Sequence, residues 1–368
     1  MSQRFYPAEW VLPGHPDKLC DAIADSLVEE AARRESRALC GVEVAVHRSS
    51  VFVTGRIACE GANEIDVEAV TRDVFRSAGY GGGWAPDPEH LDIRSRLCLG
   101  ALNDGEAEFR GVSDDQSIVT GYAADEPALN YLPPEPWMAS RIGAALSVLR
   151  RSNPDLRLGP DGKLIVVYDR DERRLSAFSA SVQQAIGGSE IDLYREIRRA
   201  VSGVLEQLAC TAKGFRCELP DEFVVNGAGN FAVGGPEGDN GLSGKKLVVD
   251  AYGPRAPIGG GALSGKDFFK ADRAGALAAR RLAKAVVISG AARECIATLA
   301  IFPGDRDFRV FSLADESGRQ LDRRRWTRLF DLSLECAGKA YSRTAGLAEI
   351  ARSGHFTSGE RAWEVIRL

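Results

Sequence analysis

Hydrophobic side chains recur at helical spacing between residues 17 and 34. Such a stripe predicts an amphipathic helix. Pro16 suits the first helical position, because its missing N–H would have had no partner there. His15 and Asp17 therefore fall at a helix N-terminus, where free backbone N–H groups attract anions. The stripe consists of Leu19, Ile23 and Leu27, with Cys20, Ala24, Val28 and Ala31 beside it.

The rest of the pattern predicts strands and helices mixed along the whole chain. Strands are predicted at 42–46, 51–53, 164–168, 175–182, 295–302 and 308–312. Helices are predicted at 64–78, 137–150, 192–208, 268–289 and 326–336. Residues 81–90 read as a Gly/Pro loop, and 103–115 is the best candidate for a mobile active-site loop.

This mixture predicts an α+β fold. A length of 368 residues suits two or three packed domains. We predict an N-terminal domain over residues 1–107, a central domain over 114–230 and a C-terminal domain over 231–368. No internal repeat is strong enough to prove duplication.

Composition narrows the class of protein. A net charge of −5 argues against the broad basic surface of a nucleic-acid-binding protein. No apolar run reaches the roughly 20 residues that a membrane helix needs, and residues 1–10 show no signal peptide. Eight cysteines without a C-x-x-C pair predict scattered buried thiols in a reducing compartment. We therefore predict a cytoplasmic protein without a membrane or nucleic-acid partner.

Glycine, lysine and aspartate concentrate in one region. Twelve glycines lie between Gly227 and Gly265. Glycine lets backbone approach a ligand closely, lysine supplies charge to phosphate oxygens, and aspartate can hold Mg²⁺. The combination predicts a polyphosphate site; the alternative is a turn-rich loop with solvated charges. The charged residues are Asp239, Lys245, Lys246, Asp250, Lys266, Asp267, Lys270 and Asp272.

Two of these lysines, Lys266 and Lys270, are four residues apart at the start of a predicted helix. They share a face and repel one another unless an anion lies between them. The alternative is an exposed basic face. Neither a Walker A motif nor a G-x-S-x-G motif is present in the sequence.

Several motifs resemble those of S-adenosylmethionine synthetases, in order over nearly the whole chain. Gly14-His15-Pro16-Asp17-Lys18, at the start of the first helix, is similar to the hallmark of that family. The runs 234–246, 249–253 and 259–267, followed by Lys270 and Asp272, are similar to its glycine-rich signatures. Asp115-Gln116 before 121–123, 354–356, and Trp363-Glu364 also match.

The resemblance implies three similar α+β domains related by a pseudo-threefold axis. It also implies a homodimer with active sites between subunits, often assembled as a dimer of dimers. The implied reaction transfers the 5′-deoxyadenosyl group of ATP to the sulfur of methionine. Tripolyphosphate, or its hydrolysis products, is released. Mg²⁺ and, in many members, K⁺ assist.

The resemblance also assigns roles to individual residues. His15 would contact the breaking end of the triphosphate, and the phosphate-holding residues would be Lys163, Lys245, Lys246, Lys266 and Lys270. The residues that hold the nucleotide would be Glu9, Asp161 and Asp239, with Phe231 stacked on adenine. Mg²⁺ would bind Asp17 and Asp272, K⁺ would bind Glu43, and Asp115 would bind the acceptor amino group.

The departures from the family concentrate on the acceptor side. Arg56 stands where the family usually has a glutamate that helps to bind methionine, and the loop 102–108 is shorter and different. Lys245 stands for an arginine that supports tripolyphosphate hydrolysis, and lysine lacks the planar bidentate contact of arginine. Whether tripolyphosphate is hydrolysed therefore stays open.

Several functions remain compatible with these residues. The first is S-adenosylmethionine formation with an altered methionine pocket. The second is adenosyl transfer to another nucleophile, bearing a carboxylate or phosphate that Arg56 would pair with. The third is a non-catalytic paralogue, against which the presence of His15, Asp17 and Lys163 argues. The fourth is an ATP or tripolyphosphate hydrolase without an acceptor.

Overall fold

A computed structural model describes residues 3–367. The strands are β1 (Phe5–Val11), β2 (Leu39–His47), β3 (Ser50–Ala58), β4 (Asp92–Gly100), β5 (Ser117–Ala124), β6 (Leu158–Asp169), β7 (Arg174–Gln184), β8 (Glu222–Val225), β9 (Gly241–Leu242), β10 (Glu294–Ile301) and β11 (Arg309–Asp315). The helices are α1 (Pro16–Arg34), α2 (Val67–Ala78), α3 (Glu106–Phe109), α4 (Pro134–Ser152), α5 (Glu190–Thr211), α6 (Leu247–Asp250), α7 (Ala271–Ile288), α8 (Arg323–Thr327), α9 (Leu334–Tyr341) and α10 (Leu347–Ser353).

Three sheets organise the described part of the chain. Their strand orders are β1-β6-β7-β8, β4-β3-β2-β9 and β11-β10-β5. Helices pack on one face of each sheet: α4 on β6, α1 on β2 and α7 on β5. The predicted α+β class is confirmed, and three sheets of similar size agree with pseudo-threefold symmetry.

The sheets exchange strands between the predicted domains. β1 pairs with β6, so that Phe5 lies opposite Asp169. β5 pairs with β10 of the third sheet, and β9 pairs with β2 of the first part of the chain. The boundaries 1–107, 114–230 and 231–368 remain a prediction, and each sheet joins segments from two of these ranges.

The sequence pattern missed five strands, β1, β4, β5, β8 and β9, of which β8 and β9 have only four and two residues. β1 contains Pro7, which cannot donate to a ladder and is normally confined to edge strands. β1 is indeed the edge of its sheet. β4 is also an edge strand, and none of its residues is buried. β5 lies at the start of the predicted central domain, where the sequence pattern indicated no strand.

The helix predicted over residues 326–336 is wrong. Two short helices, α8 and α9, occupy this region and are separated by residues 328–333. Ser333 starts the second one, because its Oγ accepts a hydrogen bond from the amide of Cys336 at 3.0 Å. Ser333 thus acts as an N-cap, which ends any continuous helix through this position.

Candidate active site

A row of acidic side chains on α1 holds the glycine-rich segments. The four positions are spaced by four residues, so they share one face of the helix. Each carboxylate accepts a hydrogen bond from a distant backbone amide. The pairs are Asp17 with Leu242 (3.0 Å), Asp21 with Gly244 (2.7 Å), Asp25 with Gly265 (2.9 Å) and Glu29 with Leu347 (2.8 Å).

Close approach of these segments requires glycine at two places. Gly265 has φ +82°, and a Cβ there would lie 2.2 Å from the carbonyl oxygen of Val42. A Cβ at Gly241 would lie 2.4 Å from the backbone of Pro16. Both distances are shorter than any van der Waals contact, so a larger residue would push the segment away from α1 and β2.

His15 is the N-cap of α1 and is almost fully buried. Its Nδ1 accepts a hydrogen bond from the amide of Asp17 at 3.2 Å, which assigns the ring proton to Nε2. Nε2 is buried and has no partner among residues 3–367. Burial, aided by the charges of Lys163 and Lys246, lowers the pKa of His15 to about 3. His15 therefore offers a neutral N–H donor that no described residue uses.

The first lysine group surrounds Asp17. Lys246 Nζ lies 3.2 Å from one carboxylate oxygen of Asp17, and Lys245 Nζ lies 3.8 Å from the other. Lys163 is exposed on β6 and close enough to influence the charge of His15. These three ammonium groups and the neutral imidazole can donate hydrogen bonds to an anion, beside the carboxylates of Asp17 and Asp239.

The predicted nucleotide residues lie beside this group or on the adjoining sheet. Asp161 is buried, and one of its oxygens accepts a hydrogen bond from the amide of Gly235 at 2.7 Å. Its other oxygen has no partner among the described residues, and burial raises its pKa. Phe231 is partly buried with its ring against Gly234, whereas Asp239 and Glu9 are exposed.

The second lysine group lies at the start of α7. Lys266 Nζ lies 2.5 Å from Asp272, which also accepts a hydrogen bond from Ser117 at 2.5 Å. Lys270 Nζ lies 2.7 Å from Asp114. The repulsion predicted between the two lysines is therefore relieved by a separate carboxylate for each. Asp115, the predicted acceptor residue, follows directly and is exposed.

The two lysine groups are held at different places along α1. The first is anchored by Asp17, and the segment that carries the second is anchored by Asp25. Eight residues of α-helix separate these anchors by about 12 Å. One chain therefore presents two groups of phosphate-type ligands.

Arg56 is already paired within the chain. Its two terminal nitrogens each lie 2.7 Å from one carboxylate oxygen of Glu106, at the start of α3. Glu106 also accepts a hydrogen bond from the amide of Asn103 at 2.6 Å. The bond to Arg56 contributes most to lowering the pKa of Glu106, to about 2. This bidentate pair joins the loop 102–108, which differs from that of the family, to β3. The sequence did not predict the pair.

The predicted metal ligands do not form a cluster of their own. Among residues 3–367, no three His, Cys, Asp or Glu side chains gather as a metal site. Glu43 is exposed and accepts a hydrogen bond from Ser243 at 2.9 Å. Asp17 and Asp272 supply hard carboxylate oxygens, one in each lysine group. This donor set fits Mg²⁺, which takes one or two carboxylates together with substrate phosphates.

The structure also bears on the cysteines and on the search for membrane-spanning helices. All eight cysteines are free, but Cys98, Cys210 and Cys217 are exposed, so the prediction of buried thiols is wrong for these three. Among the helices of residues 3–367, none is long and apolar enough to cross a bilayer.

Comparison with known proteins gives consistent matches. Family models of the S-adenosylmethionine synthetase N-terminal and C-terminal domains match residues 3–95 and 233–365. The chain is 36% identical to the S-adenosylmethionine synthase of Rhodospirillum centenum, over 81% of this chain and 77% of that protein. It is 30% identical to that of Deinococcus deserti, over 98% of this chain and 96% of that protein. An unusual S-adenosylmethionine synthetase from Campylobacter jejuni has the same fold, with a TM-score of 0.85 over 99% of this chain and 97% of that chain, at 24% identity.

Proposed function

Because this chain belongs to the S-adenosylmethionine synthetase family, we propose that it transfers the 5′-deoxyadenosyl group of ATP to the sulfur of methionine. Tripolyphosphate or its hydrolysis products leave. The observation that carries the proposal is the group formed by His15, Asp17 and Lys246 at the start of α1. In it, a neutral N–H donor and an ammonium group converge beside a carboxylate.

The proposed reaction requires positioning and charge stabilisation from this group, but no proton transfer. A thioether sulfur needs no general base to attack the 5′ carbon of ATP. The rate therefore depends on holding the two reactants in line and on stabilising the negative charge of the departing triphosphate. His15, Lys163, Lys245 and Lys246 would donate hydrogen bonds to that charge. None of them has to give up a proton.

Metal ions would complete the site. Asp17 and Asp272 would hold Mg²⁺ together with triphosphate oxygens, and Mg²⁺ would neutralise part of the leaving-group charge. Glu43 would hold K⁺. The nucleotide would be held by Glu9, Asp161 and Asp239 and stacked on Phe231.

We further propose that the working unit is a homodimer, or a pair of dimers, with sites shared between subunits. The faces of the sheets that carry no helices expose large apolar side chains, and a second copy would cover them. A partner chain would also bring a second lysine group opposite the first. The exposed side chains include Phe52, Ile118, Ile165 and Phe311, which are 43%, 64%, 48% and 52% exposed.

Mixing two inactive variants tests this shared site. His15→Asn disables the first group, and Lys266→Ala disables the second. After unfolding and refolding together, mixed dimers would contain one site with both groups intact, and activity should return to about a quarter of wild type for random pairing. Absence of recovery, with mixed dimers present by mass spectrometry, would contradict sharing.

A direct assay tests the reaction itself. Purified protein is incubated with ATP and Mg²⁺, with and without methionine, and the product is read by mass spectrometry and a phosphate assay. We expect S-adenosylmethionine only when methionine is present. Phosphate release that does not depend on methionine would instead indicate a hydrolase.

We also propose a cytoplasmic location, since all eight cysteines are free thiols.

The reversed charge at position 56 gives no support for a different acceptor, because Glu106 already matches it. We expect Arg56→Glu to raise KM for methionine roughly tenfold, since two facing carboxylates would displace the loop. KM for ATP should change much less. Steady-state kinetics with each substrate varied in turn measures this.

The swapped double variant Arg56→Glu/Glu106→Arg is the matched control. It restores the ion pair with reversed direction, so most of the lost affinity for methionine should return. If the double variant is as impaired as the single one, Arg56 acts through something other than this pair.

A further inference from the structure

A cavity of about 360 Å³ lies on the helix side of the β1–β6 sheet. Its walls come from β1, α4, α10 and the end of α2. Side chains alternate along β1, so Trp10 is buried and lines the cavity, whereas Glu9 is exposed on the opposite face. Of the described residues that line the cavity, none belongs to the candidate active site. The cavity is a separate feature of the fold.

Its lining carries an excess of positive charge. Five guanidinium groups face one carboxylate, and nothing in the proposed adenosyl transfer uses them. Guanidinium groups are planar donors that match phosphate and carboxylate oxygens two at a time. The charged lining consists of Arg141, Arg150, Arg151, Arg352, Arg361 and Glu349.

None of the five arginines has a carboxylate hydrogen-bonded to it among residues 3–367, and three of them are partly or fully buried. Arg150 is partly buried without a hydrogen bond to any described residue, and burial lowers its pKa. Arg352 is only 8% exposed; one terminal nitrogen donates to the Val74 carbonyl and the Ser77 hydroxyl, both neutral, and its Nε has no partner among the described residues. Arg361 donates only to Gly354 and to hydroxyl oxygens, and burial lowers its pKa to about 10.

Buried cations normally have partners, because removing a charge from water is costly unless an opposite charge replaces it. Here the missing partner is an anion with several oxygens. The volume is near the lower end of the range of about 300–1,000 Å³ found for small-molecule sites. We propose that this cavity is a second ligand site, which binds a compact oligophosphate such as tripolyphosphate through Arg150, Arg352 and Arg361.

Calorimetry on a protein whose candidate active site is disabled tests the assignment. In the Lys245→Ala/Lys246→Ala/Lys266→Ala/Lys270→Ala background, which removes lysines from both lysine groups, tripolyphosphate is titrated without Mg²⁺. We expect binding of one tripolyphosphate per chain, weakened by salt. Adding Arg150→Gln and Arg361→Gln should weaken it about tenfold or more, because charge-assisted contacts are lost. Arg328→Gln removes the same charge from an exposed position outside the cavity and should change nothing.

Several results would overturn the proposal. They are no binding in the disabled background, binding unaffected by the cavity variants, or inorganic phosphate binding as tightly as tripolyphosphate. Binding of poly-glutamate without binding of tripolyphosphate would identify an acidic protein segment as the ligand instead. If the double change prevents folding, Arg150→Gln alone serves as the second variant, because Arg150 makes no hydrogen bond to any described residue. The adenosyl transfer assay is independent of these outcomes.

Discussion

Replacing His15 with asparagine is expected to lower kcat about 10²–10³-fold, the loss typical of removing one donor to developing negative charge. Asparagine is a good N-cap, so it can still accept the amide of Asp17 and keep the start of α1. It cannot reach as far as Nε2 of the imidazole. The change therefore removes the buried donor while the fold stays intact, and KM for ATP should change less than kcat.

The pH profile separates a neutral His15 from a charged one. Because burial and neighbouring lysines lower its pKa to about 3, His15 stays neutral at every pH where the protein is assayed. Activity between pH 5 and 8 should therefore show no inflection due to His15, and the profiles of wild type and His15→Asn should have the same shape. A wild-type inflection near pH 6.5 that disappears in the variant would show that a protonated imidazole acts instead. Thermal unfolding of both proteins provides the control for stability.

Local sequence signals sufficed to predict the part of the site that is continuous in the chain. Pro16 and the hydrophobic stripe after it fixed the start of α1 to within one residue. The glycines at 241 and 265 lie where backbone approaches within contact distance of Pro16 and Val42. The backbone properties of proline and glycine suit only certain positions, so their structural role can be predicted from a single sequence.

Contacts between distant segments were harder to predict. No local signal in the sequence marked Asp21, Asp25 and Glu29, yet they are buried and accept hydrogen bonds from backbone amides more than 200 residues away. Their four-residue spacing was visible in the sequence, but nothing local showed that the other side of the helix is covered too. A helix that is buried on both sides needs such partners for its charged side chains.

The pair of Arg56 and Glu106 is a second contact, in the candidate site, that the sequence alone did not predict. The reversed charge at position 56 was visible, as was the altered loop 102–108. Only the fold brings the two changes together at 2.7 Å. Two departures that seem independent in the sequence are one compensated change in the structure.

Replacing Lys18 with methionine is expected to lower the free energy of unfolding by about 3–5 kcal/mol, the typical cost of removing one partner from a buried ion pair. Lys18 is fully buried and is hydrogen-bonded to Asp250 and, at 3.1 Å, to Asp21. Burial alone would lower the pKa of this lysine, but the two carboxylates raise it instead. Methionine retains the apolar stem and leaves both carboxylates without a cation. Urea unfolding measures the loss.

The loss should grow with pH. Burial raises the pKa of Asp250 from 3.8 to about 7, even though Lys18 opposes this, because two carboxylates share one ammonium group. The contribution of Asp250 to stability is therefore fully present below about pH 4 and is lost as pH rises through 7. Without Lys18 its pKa rises further, so the decline continues to more alkaline pH, and the gap between wild type and Lys18→Met is smallest at pH 5 and largest at pH 8. Asp250→Asn should flatten the wild-type slope between pH 4 and 7 because it removes the titrating group. A gap of equal size at every pH would mean that the variant loses packing alone and that the buried charges are not coupled to Lys18.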